Sequence, residues 1–412
     1  MWRPAVLIGS MILVAGPALT EIVVPDPKWG PEPVDTTISA SFDDWLAAFR
    51  LRARDDGISS DTLVALDGVA WLETVIERDR TQFEFSKPIW VYLDTAVSEA
   101  RIANGRRALE RHADLFDRIE AEYGVDRHVV AAIWGLESAY GAVRGEIDTL
   151  SALATLAADG RRGAFFETQL IAALRIVENG DTTADRLRGS WAGAMGHTQF
   201  MPTSFEALAV DFDGDGRRDI WEDAPDDALA SAANFLRNAG WETGQPWGFE
   251  IVLPDGFDHM LADRRIRRDE EAWEEMGIVR ANGSAMPRHG RAAVLLPAGA
   301  GGAAFLVYDN FAALERYNTA DAYVIAVGHL SDRLRGGGPI QGDWPYGDRA
   351  LTFAERQELQ RLLSAAGFDT LGVDGLIGPN TVNAIRAYQQ ARGLIPDGYA
   401  APALLDRLRA GE

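Results

Sequence analysis

Apolar residues recur three and four apart along most of this chain, the spacing that collects them on one face of an α-helix. Phe42, Trp45, Leu46 and Phe49 form one such stripe. Ser41, three residues before Asp44, supplies the side-chain oxygen that caps a helix start. The same period marks residues 97–120, 127–140, 163–178 and 226–238. It predicts a mainly α domain over residues 38–333, with short β-prone pieces at 249–253 and 303–308.

Glycine and proline punctuate the rest. Residues 335–347 carry three consecutive glycines and two prolines, which predicts a linker over 334–350 with little scope for a packed element. Beyond it, residues 351–410 form a small separate domain. Leu359, Leu362 and Leu363 share one helical face, and Val382, Ile385 and Tyr388 share another. Between those helices, Asp374-Gly375 signals a turn and Pro379 suits the first turn of the following helix.

At the other end, Arg3, the apolar run 5–14 and the small residues 15–18 read as an export signal over residues 1–20. A Pro-rich lead follows over 21–37. The apolar run falls short of the roughly 18 residues that span a bilayer. An uncleaved anchor is the alternative, disfavoured by Gly9-Ser10 and Gly16-Pro17. A periplasmic protein with no stable membrane insertion after signal cleavage is expected.

Charge and composition narrow the chemistry. Acids outnumber bases 62 to 40, a formal charge of -22, and no long basic run appears, so nucleic acid is not an expected partner. There is no cysteine, which excludes disulfides, thiolate metal sites and a cysteine nucleophile. No dinucleotide-binding fingerprint or nucleophile elbow is present, and no organic cofactor is expected.

The most informative residue is Glu137. In the predicted helix over 127–140, Val130, Ile133, Trp134 and Glu137 fall on one apolar stripe. Burial disfavours the charged form, so a carboxyl group there is expected to have a raised pKa and to serve as a general acid near neutral pH. On spacing alone, a structural acid with a buried partner fits equally well.

A second acidic motif is Asp211-Phe-Asp-Gly-Asp-Gly-Arg-Arg-Asp-Ile-Trp-Glu222. Acids at positions 1, 3 and 5, glycine at 6 and glutamate at 12 match the calcium-loop template. Alternate acids on a tight loop converge on one point, where their repulsion is offset by a hard cation. Arg218 stands at position 8, where an apolar residue normally packs inward, and no second loop of this kind exists. A lone structural calcium site is therefore expected rather than a paired sensor.

Between these motifs lies Gly189-Ser-Trp-Ala-Gly-Ala-Met-Gly-His-Thr-Gln-Phe-Met-Pro-Thr-Ser204. Its small residues permit close approach of backbone and ligand, and Ser190 and Gln199 offer hydrogen bonds. Tight helix packing would explain it equally if it stood alone. Together with Trp134-Gly-Leu-Glu-Ser-Ala-Tyr-Gly141, the acidic loop, Tyr317-Asn318 and Tyr323, it resembles the B-type lytic transglycosylases of glycoside hydrolase family 103 over roughly 38–333. Residues 351–410 resemble the small three-helix peptidoglycan-binding domain, through the loop 372–381 and the run 384–394.

The resemblance implies a lysozyme-like catalytic domain with short β pieces plus a small three-helix C-terminal domain. It implies cleavage of the MurNAc-GlcNAc β-1,4 bond of peptidoglycan glycan strands, leaving 1,6-anhydro-muramic acid ends. Glu137 would be catalytic, and Ser190, Gln199, Tyr317, Asn318, Tyr323 and Tyr92 would bind substrate. Asp211, Asp213, Asp215, the Arg217 carbonyl and Asp227 would hold Ca2+, with Asp227 favoured over Glu222 as the closing ligand. Where the family often shows a further cleft tyrosine, this chain has Phe235. A water-consuming muramidase and a non-catalytic wall-binding scaffold are the alternative readings. Product masses separate the first, and an intact Glu137 argues against the second.

Overall fold

The computed structural model describes residues 42–81 and 87–412, together with two-residue strands at Ser10–Met11 and Ile22–Val23. The expected export signal and Pro-rich lead otherwise lie outside the described residues. The rest divides into two compact units. One contains residues 42–81 and 99–238, and the other residues 87–98 and 239–412.

The first unit is helical, and four of its helices coincide with the sequence periodicity: Phe42–Asp55, Arg127–Ser138, Gly163–Glu178 and Asp226–Asn238. The segment 97–120 differs. It is two helices, Glu99–Arg111 and Ala113–Tyr123, separated at His112, whose φ of -112° and ψ of 29° are non-helical. The helix Thr149–Asp159 was not foreshadowed by any stripe because residues 149–157 are all buried. A helix apolar on every side has no amphipathic period to detect. It is capped by Asp148, whose carboxylate accepts the Ser151 N–H, and it packs along Gly163–Glu178.

The second unit contains a four-stranded antiparallel sheet in the order Val279–Arg280, Gly248–Val252, Ala304–Val307, Ala293–Leu295. The two β-prone pieces are its central strands. Phe249 and Ile251 enter a core with Trp273, Val294, Leu306 and Tyr308. Beneath it, the buried Glu270 carboxylate accepts the His289 and Gly290 N–H groups and the Tyr308 hydroxyl, which satisfies a charge that would otherwise be costly.

The C-terminal residues form three helices, Phe353–Ala365, Pro379–Ala391 and Pro402–Arg409, around Leu359, Leu363, Ile385, Tyr388, Leu404 and Leu405. Thr352 and Glu355 close a capping box, and Pro379 occupies the first turn as expected. Asp374 shapes its turn by accepting the Leu376 N–H.

The segment 334–350 is more ordered than its glycines and prolines suggested. The Glu250 carboxylate accepts the Gln341 and Gly342 N–H groups, and Trp344 is buried with its ring 6.3 Å from that of Trp90. The three helices are also tied to the sheet region. Buried Arg386 donates to the Ala262 carbonyl, and Asp397 accepts the Ala300 N–H at 2.9 Å. No helix among the described residues is long and apolar enough to cross a membrane.

Candidate active site

Glu137 occupies the last turn of Arg127–Ser138, and every residue from Val129 to Ser138 is buried. Glu137 itself is 2% exposed. The helix starts at Asp126, whose side chain accepts the His128 N–H, and ends because Ala139 and Tyr140 adopt φ of 52° and 62°. Left-handed backbone at two consecutive non-glycine residues is costly and persists where surrounding contacts hold it. One such contact is direct. The Tyr140 ring folds back over Gly135, where an added Cβ would lie 2.5 Å from the phenol, and its hydroxyl donates to the Arg101 carbonyl at 3.0 Å. Arg101 in turn donates to the Gly135 carbonyl.

The helix end is fastened to the small-residue segment. Trp134 Nε1 donates to His197 Nδ1 at 3.0 Å, and Ser138 Oγ donates to the His197 carbonyl at 2.6 Å. Glu137 thus lies between two residues that grip the same turn of chain. Gly141 and Gly145 make this fit possible, because a Cβ would meet the His197 ring at 2.5 Å and the Gly189 backbone at 2.2 Å. Within the segment, Ser190 Oγ accepts the Ala192 and Ala194 N–H groups. Gln199 has φ of 52°, donates to the carbonyls of Arg144 and Gly196, and keeps a buried Oε1 without a hydrogen-bond partner among the described residues. An acceptor left open in a buried place is available to a ligand N–H.

His197 was not singled out by its sequence context. Its Nδ1 accepts from Trp134, so Nε2 carries the proton and donates to the Glu222 carbonyl at 2.6 Å. Burial lowers its pKa to about 4, against the bond to Glu222, with the Arg144 charge lowering it further. Arg144 donates to the Trp221 and Glu222 carbonyls and pairs with Asp223. These partners lie 25 to 78 residues apart in the chain, which is why no local pattern revealed them.

The acidic loop gathers oxygen donors of the kind a hard cation needs. Asp211, Asp213 and Asp215 bring carboxylate oxygens within 4.8 Å of one another, and all three are exposed. Backbone N–H groups fix each of them: Gly214 and Gly216 donate to Asp211, Asp215 to Asp213, and Arg217 to Asp215. Three carboxylates held in convergence suit a hard cation.

Asp227 and Glu222, the two acids weighed as closing ligand, have other partners. Asp227 is not in the convergent group. It is 4% exposed and accepts the Phe212, Asp213 and Asp219 N–H groups, holding the loop from behind. Its pKa is raised to about 6 by burial, which those bonds oppose. The Glu222 carboxylate faces Arg186 and Arg217 at 3.5 and 3.7 Å. Arg217 pairs its guanidinium with Asp215. Arg218 turns inward to buried Asp181 and lies over the Phe205 ring, which accounts for a charged residue at an inward position.

In the second unit, Tyr92, Tyr317, Asn318 and Tyr323 are all buried. Tyr92 lies on Ile89–Ala96, Tyr317 ends Asp309–Tyr317, and Tyr323 lies on Asp321–Leu334. Asn318 joins the latter two helices, with its side-chain oxygen accepting the Ala320 N–H. In the first unit, Phe235 is buried with its ring 6.0 Å from that of Phe200.

The chain is similar to known proteins over most of its length. Residues 41–332 match the Transglycosylase SLT domain, and residues 354–408 match a putative peptidoglycan binding domain. Over 250 residues the chain is 31% identical to the membrane-bound lytic murein transglycosylase B of Escherichia coli K12, spanning 59% of this chain and 66% of that protein. Its fold superposes on the crystal structure of SltB3 from Pseudomonas aeruginosa, in complex with NAG-anhNAM-pentapeptide, with a TM-score of 0.87. The identity there is 50%, covering 90% of this chain and 100% of that one. The Escherichia coli lytic transglycosylase Slt35 in complex with calcium gives a TM-score of 0.61 at 25% identity, over 76% of this chain and 98% of its own. The chain belongs to the lytic transglycosylases of the SLT family, enzymes of peptidoglycan, and carries a peptidoglycan-binding domain.

Proposed function

We propose that Glu137 is the acid, and then the base, of a lytic transglycosylase that cleaves the MurNAc-GlcNAc bond of wall strands bearing stem peptides. The observation that carries this reading is the placement of Glu137, buried at the end of a helix whose flanking Trp134 and Ser138 are both bonded to His197. Held this way, a carboxyl group needs no reorganisation to reach a glycosidic oxygen. It donates its proton to that oxygen, and the C1–O bond breaks. The muramyl 2-acetamido oxygen closes on C1 and takes up the developing positive charge. The 6-hydroxyl oxygen then attacks C1, the bond from C1 to the acetamido oxygen breaks and restores the acetamide, and the Glu137 carboxylate takes the 6-hydroxyl proton, giving the 1,6-anhydro ring without consuming water.

One carboxyl suffices for this sequence, whereas glycosidases that add water through acid and base use two. Ser190 and Gln199 bind the sugar substituents, and the open Gln199 oxygen suits an acetamido N–H. Tyr92, Tyr317, Asn318 and Tyr323 contribute the remaining substrate contacts. Asp211, Asp213 and Asp215 hold Ca2+, which neutralises their repulsion and orders the loop reached by His197 and Arg144 through Glu222. Calcium takes no part in the chemistry. The enzyme is exported by residues 1–20 and works in the periplasm, where residues 351–410 anchor it to the wall.

Digestion of purified sacculi in H2(18)O tests the reaction class. Muropeptides one water lighter than hydrolysis products, and free of heavy oxygen, are expected. Reducing ends carrying heavy oxygen would make the enzyme a muramidase.

A further inference from the structure

The second unit holds a cavity of about 570 Å³ beside the sheet, bounded by the strand Gly248–Val252, by Arg280 and by the chain from Arg335 to Gln341. Its charges are unevenly satisfied. The Glu250 carboxylate is taken up by the Gln341 and Gly342 N–H groups. Asp332 accepts the Trp247 indole N–H at 3.0 Å and faces Arg335 at 3.8 Å. Both acids are thus turned to the protein. Arg280 is the exception. Its guanidinium lies 4.7 Å over the Phe249 ring, its Nε is buried without a hydrogen-bond partner, and no carboxylate pairs with it among the described residues.

A half-buried guanidinium without an anion has lost hydration and gained only a ring face in return. The ring holds it in one orientation, so its fork is preorganised for a planar two-oxygen acceptor. His289, Asn282 and His329 add polar groups to the same wall. Burial lowers the His329 pKa to about 4, which leaves a neutral imidazole there at neutral pH.

We propose that Arg280 anchors a carboxylate-binding site in this cavity, and that its ligand is the free carboxylate end of a peptidoglycan stem peptide. The volume admits a short peptide, and wall strands carry many such ends. The choice of peptide rests on reading the chain as a wall enzyme; the presence of an anion site does not.

Calorimetric titration of the full chain with a synthetic stem pentapeptide ending in D-Ala-D-Ala tests the proposal, against the same peptide with its terminus amidated. The free acid is expected to bind, and amidation or Arg280→Gln to weaken binding by roughly tenfold or more, the loss typical of a charge-assisted pair. Arg280→Lys, which keeps charge without the fork, is expected to fall between. Equal affinity for acid and amide, or no binding of the acid to the wild type, overturns the proposal even if Arg280→Gln proves unstable. Release of anhydro products from sacculi, measured alongside, tests the enzymatic reading separately.

Discussion

The indole N–H of Trp134 donates to Nδ1 of His197 across 63 positions of sequence, and this bond fixes which ring nitrogen carries the proton. Because Nδ1 is filled, Nε2–H points at the Glu222 carbonyl, and the helix of Glu137 becomes connected to the end of the acidic loop. A protonated ring would put a second hydrogen against the Trp134 donor.

The pH dependence of stability follows from this. His197 has a folded pKa of about 4 against an ordinary 6.5, so the unfolded chain binds more protons between those values. The stability associated with neutral His197 is complete above pH 6.5 and is lost as pH falls towards 4. The drop in melting temperature between pH 7 and pH 4.5 is expected to be smaller in His197→Gln than in wild type. Equal drops would contradict the assignment, as would an NMR titration of the His197 ring near 6.5.

Gly135 offers a test of packing against propensity. Alanine would favour the helix by about 1 kcal/mol. Its Cβ, however, would lie 2.5 Å from the Tyr140 phenol, which is held by the Arg101 carbonyl. Overpacking of this kind costs about 1–3 kcal/mol, so Gly135→Ala is expected to be destabilising in urea unfolding. A more stable variant would show that Tyr140 moves freely.

The acidic loop predicts a calcium effect on stability rather than on chemistry. With free calcium about a hundredfold above its dissociation constant, the melting temperature is expected to rise by on the order of 5 °C. Activity well below melting should change little on chelation. Asp213→Ala should make the melting temperature indifferent to calcium. A chelated wild type that melts with the calcium-loaded one would reduce the loop to an acidic turn.

Much of this was legible in the chain because it depends on local spacing: the stripe carrying Glu137, the alternate acids from Asp211, the Asp374-Gly375 turn and Pro379 at a helix start. What was not legible depends on distant partners or on missing contrast. His197 and Arg144 act through residues far along the chain, and Thr149–Asp159 is apolar all round. Glu222 and Asp227 were both acids at suitable spacing. Only the backbone path shows Asp227 facing loop N–H groups and Glu222 facing arginines. Glycines at 336–338 suggested a free tether because composition does not register Glu250, whose carboxylate holds residues 341 and 342.

The contacts of Arg386 with Ala262 and of Asp397 with Ala300 alter what truncation should do. Removing residues 348–412 is expected to weaken sacculus binding by roughly tenfold or more, as loss of one of two linked sites does. It should also lower the melting temperature, because both bonds and the apolar surface around them are lost. Unchanged melting would mean the module is attached only by its chain, and unchanged binding would reject it as an anchor.

The most direct test of the account is Glu137→Gln assayed on purified peptidoglycan, with folding checked by circular dichroism and melting temperature. The amide keeps the shape of the side chain but cannot deliver a proton. The account predicts a folded protein that still binds sacculi and releases anhydro-muropeptides at a rate reduced by about a hundredfold or more. Near-normal release by a folded Glu137→Gln variant would contradict it.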